Sequence, residues 1–188
     1  MSQNYKNIFM ILNSNGFIML NEDMRYPSIC SLNGDWGDVC ELIMTRSAYL
    51  TKLIDNKSTF LSPKLYKALQ DCTSKVSLNH EEECLYNFIK SNEPVNTDLL
   101  RRSGIVERKQ IRRTIERLQK KLLITAIGED VRISNNWGTF LWGTSETWEI
   151  NASFDLNGED TARIVEKYLR GIISERKLKS LTSRINEE

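Results

Sequence analysis

The sequence contains few of the residues from which metal sites and hydrolytic active sites are built. Its 188 residues include a single histidine, His80, and four cysteines, none of which forms a CxxC pair. Structural zinc sites need closely spaced Cys or His pairs, and a Ser-His-Asp triad needs a placed histidine. No GxGxxG or GK[ST] phosphate loop is present either. We therefore expect no metal and no cofactor, and we expect reduced thiols at Cys30, Cys40, Cys72 and Cys84.

Long apolar segments are absent as well. The longest apolar run, Ile8–Leu12, is far shorter than the roughly 18 residues that a membrane-spanning helix needs. The first residues lack the charged start and apolar core of a signal peptide. Hydrophobic residues nevertheless make up 40% of the chain, which is enough for a packed core. The expectation is a globular, cytoplasmic protein with no membrane partner.

What the sequence does contain is a regular succession of amphipathic segments. In the first part of the chain, apolar spacing predicts helices over 4–14 and 34–46 with a short strand between them. Residues 47–62 favour a β-hairpin over a continued helix, and a further helix begins at Pro63. Residues 1–75 are thus predicted to form an N-terminal α/β unit, with a divergent winged helix as one interpretation.

The second half has a clearer pattern. It predicts helices over 80–90, 97–102 and 107–121, with a glycine turn before the third, and then a hairpin over 122–133 that turns at 128–130. This order is typical of a winged helix-turn-helix, in which the hairpin covers the open edge of three helices. The predicted class is α+β, mostly helical, with a winged helix-turn-helix over 79–150 and tandem units as an extension. His80 is expected at a solvated helix start. The predicted hairpin tip is acidic, which argues against its deep insertion into DNA.

Positive charge is concentrated in one segment. Residues 101–121 contain nine basic and two acidic residues, a net charge of +7, whereas the whole chain carries +1 and the remainder therefore −6. The apolar residues of the third helix share one face and leave the basic side chains on the others. Basic side chains on such a helix can contact phosphates and guanine edges of duplex DNA. The predicted DNA-binding residues are Arg101, Arg102, Arg108, Lys109, Arg112, Arg113, Arg117 and Lys120.

Several stretches of the chain resemble one known family. The best match is Arg112–Gln119 followed by Leu123–Gly128. It continues in Phe17–Leu20, Tyr26–Ile29, Trp36–Asp38, Glu81–Ile89, Leu99–Arg102, Trp137–Phe140 and Ala162–Leu169. Together these stretches resemble the AlkZ-related winged-helix proteins, a broad bacterial-type group that contains a DNA glycosylase that unhooks crosslinks. The resemblance implies tandem winged helices and duplex DNA as the ligand.

The glycosylases of that family use a short Gln-x-Gln or Gln-x-Asp motif to position water and stabilise the sugar cation. This chain has neither, since Gln70 is followed directly by Asp71, and Gln110 and Gln119 stand alone. The chain is also shorter than a full glycosylase. We therefore predict a non-catalytic DNA-binding protein that regulates transcription. The alternatives are a module whose basic helix binds an acidic protein, and a glycosylase-related enzyme with a carboxylate beside Trp36, namely Asp35, Asp38 or Glu41.

Two further segments leave alternatives open. Residues 134–148 hold three of the four tryptophans, and we favour strands packed on the core over a stacking platform for unpaired bases. Residues 151–188 are predicted to form helices whose pattern echoes that of 88–101. Their apolar residues need a partner surface, either the body of the protein or the second subunit of a homodimer. These residues are Leu169, Ile172, Ile173, Leu178 and Leu181.

Overall fold

A computed structural model gives the fold of residues 3–72, 76–156 and 158–182. About 49% of the chain is helical and about 19% is strand. The predicted class, α+β and mostly helical, is therefore confirmed. No helix within these three ranges is long and apolar enough to cross a membrane.

Residues 3–72 fold into a small antiparallel sheet with helices around it. The elements are α1 (Gln3–Asn15), β1 (Phe17–Met19), a 3-10 turn (Cys30–Leu32), α2 (Trp36–Met44), β2 (Tyr49–Thr51), β3 (Thr59–Leu61) and α3 (Pro63–Cys72). Strand β3 lies between β1 and β2, with Phe60 opposite both Ile18 and Leu50. The hairpin predicted within residues 47–62 is confirmed.

Local sequence signals explain where the first helices begin and end. Gly16 has a φ of +77°, a left-handed conformation that glycine adopts readily, and α1 ends just before it. The Asp35 carboxylate accepts a hydrogen bond from the backbone N–H of Asp38 at 3.1 Å, and the Asp38 carboxylate accepts one from that of Asp35 at 3.1 Å. This capping box starts α2 at the predicted place.

The second half repeats the same order of elements. It contains α4 (His80–Asn92), β4 (Val95–Asn96), α5 (Thr97–Arg102), α6 (Ile111–Lys120), β5 (Ile124–Ser134), β6 (Trp137–Thr144) and α7 (Ser145–Glu149). Strand β6 lies between β4 and β5, just as β3 lies between β1 and β2. His80 is exposed at the start of α4, as predicted. Residues 3–61 and 80–144 therefore share both element order and strand order.

The third helix of the second half is shorter than predicted. It begins at Ile111 rather than at Glu107, because residues 107–110 form a turn. The backbone N–H of Gln110 donates to the Glu107 carbonyl at 2.7 Å, which closes this turn, and Val106 before it is buried in the core. Two of the predicted DNA-binding residues, Arg108 and Lys109, therefore lie on the turn that precedes α6 rather than on the helix.

The hairpin is longer than predicted, and its tip lies elsewhere. Residues 128–130 do not turn but continue β5 through an irregularity in pairing, and the chain reverses at Asn135–Asn136. Tertiary contacts hold the segment extended, because Glu129 accepts a hydrogen bond from Trp36 Nε1 at 2.8 Å and Asp130 is bonded to side chains of β4 and β6. The expectation of an acidic tip is wrong, since both carboxylates are bound to the body of the protein.

Two hydrophobic cores hold these elements together. One combines buried residues of α1 and α2 with those of α4, α6 and the second sheet, so both halves share it. The other surrounds α3 and includes α7 and the C-terminal helices α8 (Thr161–Leu169) and α9 (Glu175–Thr182). Leu169 and Leu178 are buried in this core, while Ile172, Ile173 and Leu181 pack against it. The body of the protein therefore covers Leu169 and Leu178 and part of the other three side chains.

Candidate nucleic-acid interface

Helix α6 turns an apolar face to the core and a basic face to solvent. The buried residues are Ile111, Thr114, Ile115, Leu118 and Gln119. Arg112, Arg113 and Lys120 are exposed on the other side of the helix. Because apolar residues recur at helical spacing, the packing of one face on the core is enough to expose the basic one. The structure thus presents to solvent the face on which sequence analysis places DNA.

Half of the predicted DNA-binding residues pair with carboxylates of the protein itself. The pairs are Arg101–Asp98 at 2.9 Å, Lys109–Glu107 at 2.9 Å, Arg112–Glu116 at 3.3 Å and Arg117–Glu81 at 3.5 Å. Arg102, Arg108, Arg113 and Lys120 form no ion pair with any residue in the described ranges. Exposed cations without an internal counter-ion are the ones most available to a phosphate. Three of these four lie on α6 or on the turn before it.

Lys121, one residue beyond α6, has a structural role. Its ammonium lies 2.6 Å from the buried carboxylate of Glu82, which also accepts a hydrogen bond from the backbone N–H of Asn79 at 2.9 Å. Burial raises the pKa of Glu82, but the ammonium and the N–H outweigh burial, so the pKa lies below its ordinary value. This ion pair links the start of α4 to the end of α6.

The basic surface extends to a residue that sequence analysis missed. Lys52 follows β2 directly, and its ammonium lies 4.0 Å from Glu116, the carboxylate that also pairs with Arg112. Burial lowers the pKa of Lys52, and the charges of Arg112 and Lys120 lower it further against the opposing effect of Glu116. One carboxylate therefore serves two cations, and the site keeps a net positive charge. No sequence signal joins Lys52 to α6, because the two are distant along the chain.

A groove of about 260 Å³ lies beside α6, between the two halves. Its lining combines aromatic side chains of β6 with basic side chains from three other parts of the fold. The aromatic residues are Trp137, Phe140 and Trp142, and the basic ones are Lys52, Arg101 and Arg112. Aromatic rings beside cations are the combination with which proteins bind the bases and phosphates of single-stranded nucleic acid.

The tryptophans of 134–148 are of two kinds. Trp148 is fully buried, with its ring centroid 5.1 Å from that of Tyr49 and 4.8 Å from that of Tyr66. Trp142 is almost completely buried as well, so both are core residues, as the sequence favoured. Trp137 is 52% exposed and keeps an accessible ring on the hairpin.

The carboxylates considered for catalysis lie on or next to α2. Asp35 and Asp38 are occupied by the capping box that starts this helix, and Glu41 lies half-buried further along it. Trp36 itself is buried, and its Nε1 donates to Glu129. Within the described ranges, no group of three or more His, Cys, Asp or Glu side chains could hold a metal ion.

The cysteines are free thiols in the structure. Cys40 and Cys72 are buried, Cys84 is half-buried and Cys30 is exposed. Burial raises the pKa of the Cys40 thiol to about 11, and it also raises that of Cys72. Both buried thiols therefore stay protonated and unreactive near neutral pH.

The chain matches the model of a known protein family. A family model described as AlkZ related matches residues 40–186, which is more than three quarters of the chain. The matched region includes α6, the hairpin and the groove residues named above. No curated protein and no solved structure matches significantly.

Proposed function

Because the chain belongs to the AlkZ-related family, we propose that it is a non-catalytic DNA-binding protein that contacts duplex DNA through α6 and the turn before it. The observation that carries the proposal is the group of three exposed cations, Arg108, Arg113 and Lys120, without a carboxylate partner in the described part of the chain. Exposed cations without an internal counter-ion attract a polyanion such as DNA.

The order of elements supports a winged-helix unit in each half. In such a unit the third helix enters the major groove and the hairpin lies beside it. Helix α6 is the third helix of the second half and carries the cations that lack a carboxylate partner in the described ranges. Its counterpart α2 has Asp38 and Glu41 and no basic residue, so it would repel phosphate. We therefore assign the duplex contact to the second half only.

Two observations favour a regulatory role over catalysis. The sequence has no Gln-x-Gln or Gln-x-Asp motif, and Asp35 and Asp38 are engaged in capping α2. Transcription regulation is the commonest use of a winged helix that binds duplex DNA without acting on it. A glycosylase-related enzyme is the second candidate, on the strength of the family relation. If the protein is such an enzyme, it should release bases from alkylated duplex DNA.

Binding to random-sequence duplex DNA at two salt concentrations tests the proposal. The intact chain should bind, and higher salt should weaken binding because phosphate contacts release counterions. Arg113→Glu should lower the affinity strongly. Arg163→Glu makes the same charge change at an exposed residue of α8 and should have little effect.

Three results would contradict the proposal in different ways. Absence of binding at low salt would remove duplex DNA as the ligand and leave an acidic protein partner as the alternative. Equal losses in the two arginine variants would mean that general charge, and not α6, drives binding. Release of bases from alkylated DNA by the intact chain would show that the protein is an enzyme.

A further inference from the structure

We propose that the groove between the two halves holds one unpaired nucleotide of a DNA duplex, with its base against Trp137 and its phosphate near Lys52 and Arg112. The inference rests on the proposed function, because a duplex on α6 would bring the nucleotide to the groove. It goes beyond that function by naming the kind of DNA that the protein prefers, namely a duplex interrupted by an unpaired base.

The aromatic side of the groove is a row of rings in contact. Trp137 lies 6.4 Å from the buried Trp36, measured between ring centroids, and Phe140 lies 4.9 Å from Trp36 and 5.9 Å from Trp142. Hydrogen bonds hold the row in place, since Trp142 Nε1 donates to Thr97 at 3.0 Å and Trp36 Nε1 donates to Glu129. The ring of Trp137 is thus supported from behind and open to solvent.

An exposed tryptophan backed by fixed rings is suited to stacking. A base can stack on an aromatic side chain whatever its sequence, because every base has a π face. In a paired duplex both faces of each base are already covered by neighbours. An unpaired base can leave the stack at lower cost, so Trp137 selects for it.

The basic side of the groove is short of negative charge. Of its three lining cations, Arg101 pairs with Asp98 at 2.9 Å, whereas Lys52 and Arg112 have only the carboxylate of Glu116. This carboxylate lies 3.3 Å from Arg112 Nε and 4.0 Å from Lys52 Nζ, so it is shared. A phosphate group supplies the missing negative charge, which an uncharged aromatic ligand would not.

The groove is small and lies beside α6. Its volume of about 260 Å³ lies just below the roughly 300 Å³ at which pockets for drug-sized ligands begin. Arg112, Ile115, Glu116 and Gln119 of α6 line it, and their spacing puts them along one side of the helix. The groove therefore adjoins the duplex-binding face of α6.

Binding of two duplexes of equal length tests this inference, one fully paired and one with a single unpaired nucleotide. The intact chain should bind the interrupted duplex at least about fivefold more tightly, the smallest effect expected from one stacked base. Trp137→Ala should remove this preference while keeping affinity for paired DNA, and Trp137→Phe should retain part of it. Ile133→Ala is the matched control, since Ile133 is exposed on the same hairpin and does not line the groove.

A second readout reports stacking directly. A fluorescent 2-aminopurine at the unpaired position should lose emission when the intact chain binds, and Trp137→Ala should prevent that loss. Equal affinity for the two duplexes, or a preference that persists in Trp137→Ala, would overturn the inference while leaving the proposed function intact. If neither DNA binds, the proposed function fails and the inference fails with it.

Discussion

Removing the three unpaired cations Arg108, Arg113 and Lys120 should change the salt dependence of DNA binding as well as the affinity. Each is exposed and has no carboxylate partner in the described ranges, so each is expected to neutralise one phosphate. The slope of log affinity against log salt falls by about 0.9 for each lost phosphate contact on B-form DNA, or about 2.7 for three. Between 50 and 200 mM salt, the intact chain should lose about 40-fold more affinity than the triple alanine variant.

Cations that already have a partner provide the control for this measurement. Lys109 and Arg117 lie in the same segment but pair with Glu107 and Glu81. Breaking such a pair to contact phosphate leaves an acidic group behind, so Lys109→Ala with Arg117→Ala should change the slope much less. Fluorescence anisotropy with a labelled random duplex, at five or more salt concentrations, gives the slopes of all three proteins.

The comparison between the two sets of variants decides whether the reasoning is correct. If the paired and unpaired sets reduce the slope equally per residue, internal ion pairs do not determine which cations bind phosphate. If the triple variant keeps the slope of the intact chain, α6 and its preceding turn are not the contact surface. Either result would refute the assignment of the interface.

Three further predictions concern stability and are checked by chemical or thermal unfolding. Glu82→Gln keeps the helix cap but removes the charge that pairs with Lys121, so it should cost about 1.5–3 kcal/mol at neutral pH. The pKa of Glu82 is lowered in the fold, so this difference should be full above the ordinary pKa and shrink as pH falls below it. Trp148→Ala removes a fully buried ring and should cost about 3–5 kcal/mol. Gly138→Ala would place its Cβ 2.5 Å from the ring of Trp36 and should cost about 1–3 kcal/mol.

Two of these have an internal control in the chain. Trp137→Ala changes an exposed tryptophan of the same segment and should cost much less than Trp148→Ala. Gly128→Ala adds a Cβ at an ordinary contact distance of 3.4 Å from Leu141 and should be tolerated. A Glu82→Gln difference that does not vary with pH would contradict the role given to its charge. Equal losses of stability in Trp148→Ala and Trp137→Ala would contradict the burial of Trp148. Equal losses in Gly138→Ala and Gly128→Ala would contradict the close approach of Gly138 to Trp36.

Local chemistry determined much of the fold, because helices and caps depend on residues a few positions apart. The apolar spacing of Ile111, Ile115 and Leu118 predicted which face of α6 is buried. Gly16 and the Asp35 capping box lie where the helices predicted over 4–14 and 34–46 respectively end and begin. The concentration of positive charge in residues 101–121 can be counted directly from the sequence. For the same reason, the candidate interface could be proposed before the fold was known.

Only the tertiary structure decided how distant residues meet. The sequence predicted a turn at 128–130, but hydrogen bonds to Trp36 and to the neighbouring strands keep that segment extended and move the tip. Nor did the basic segment reveal which of its cations are free, because Glu81 reaches Arg117 only through the packing of α4 on α6. The groove likewise brings together Lys52 and Trp137, which lie in different halves of the chain. Such contacts depend on the path of the whole backbone, which no local pattern records.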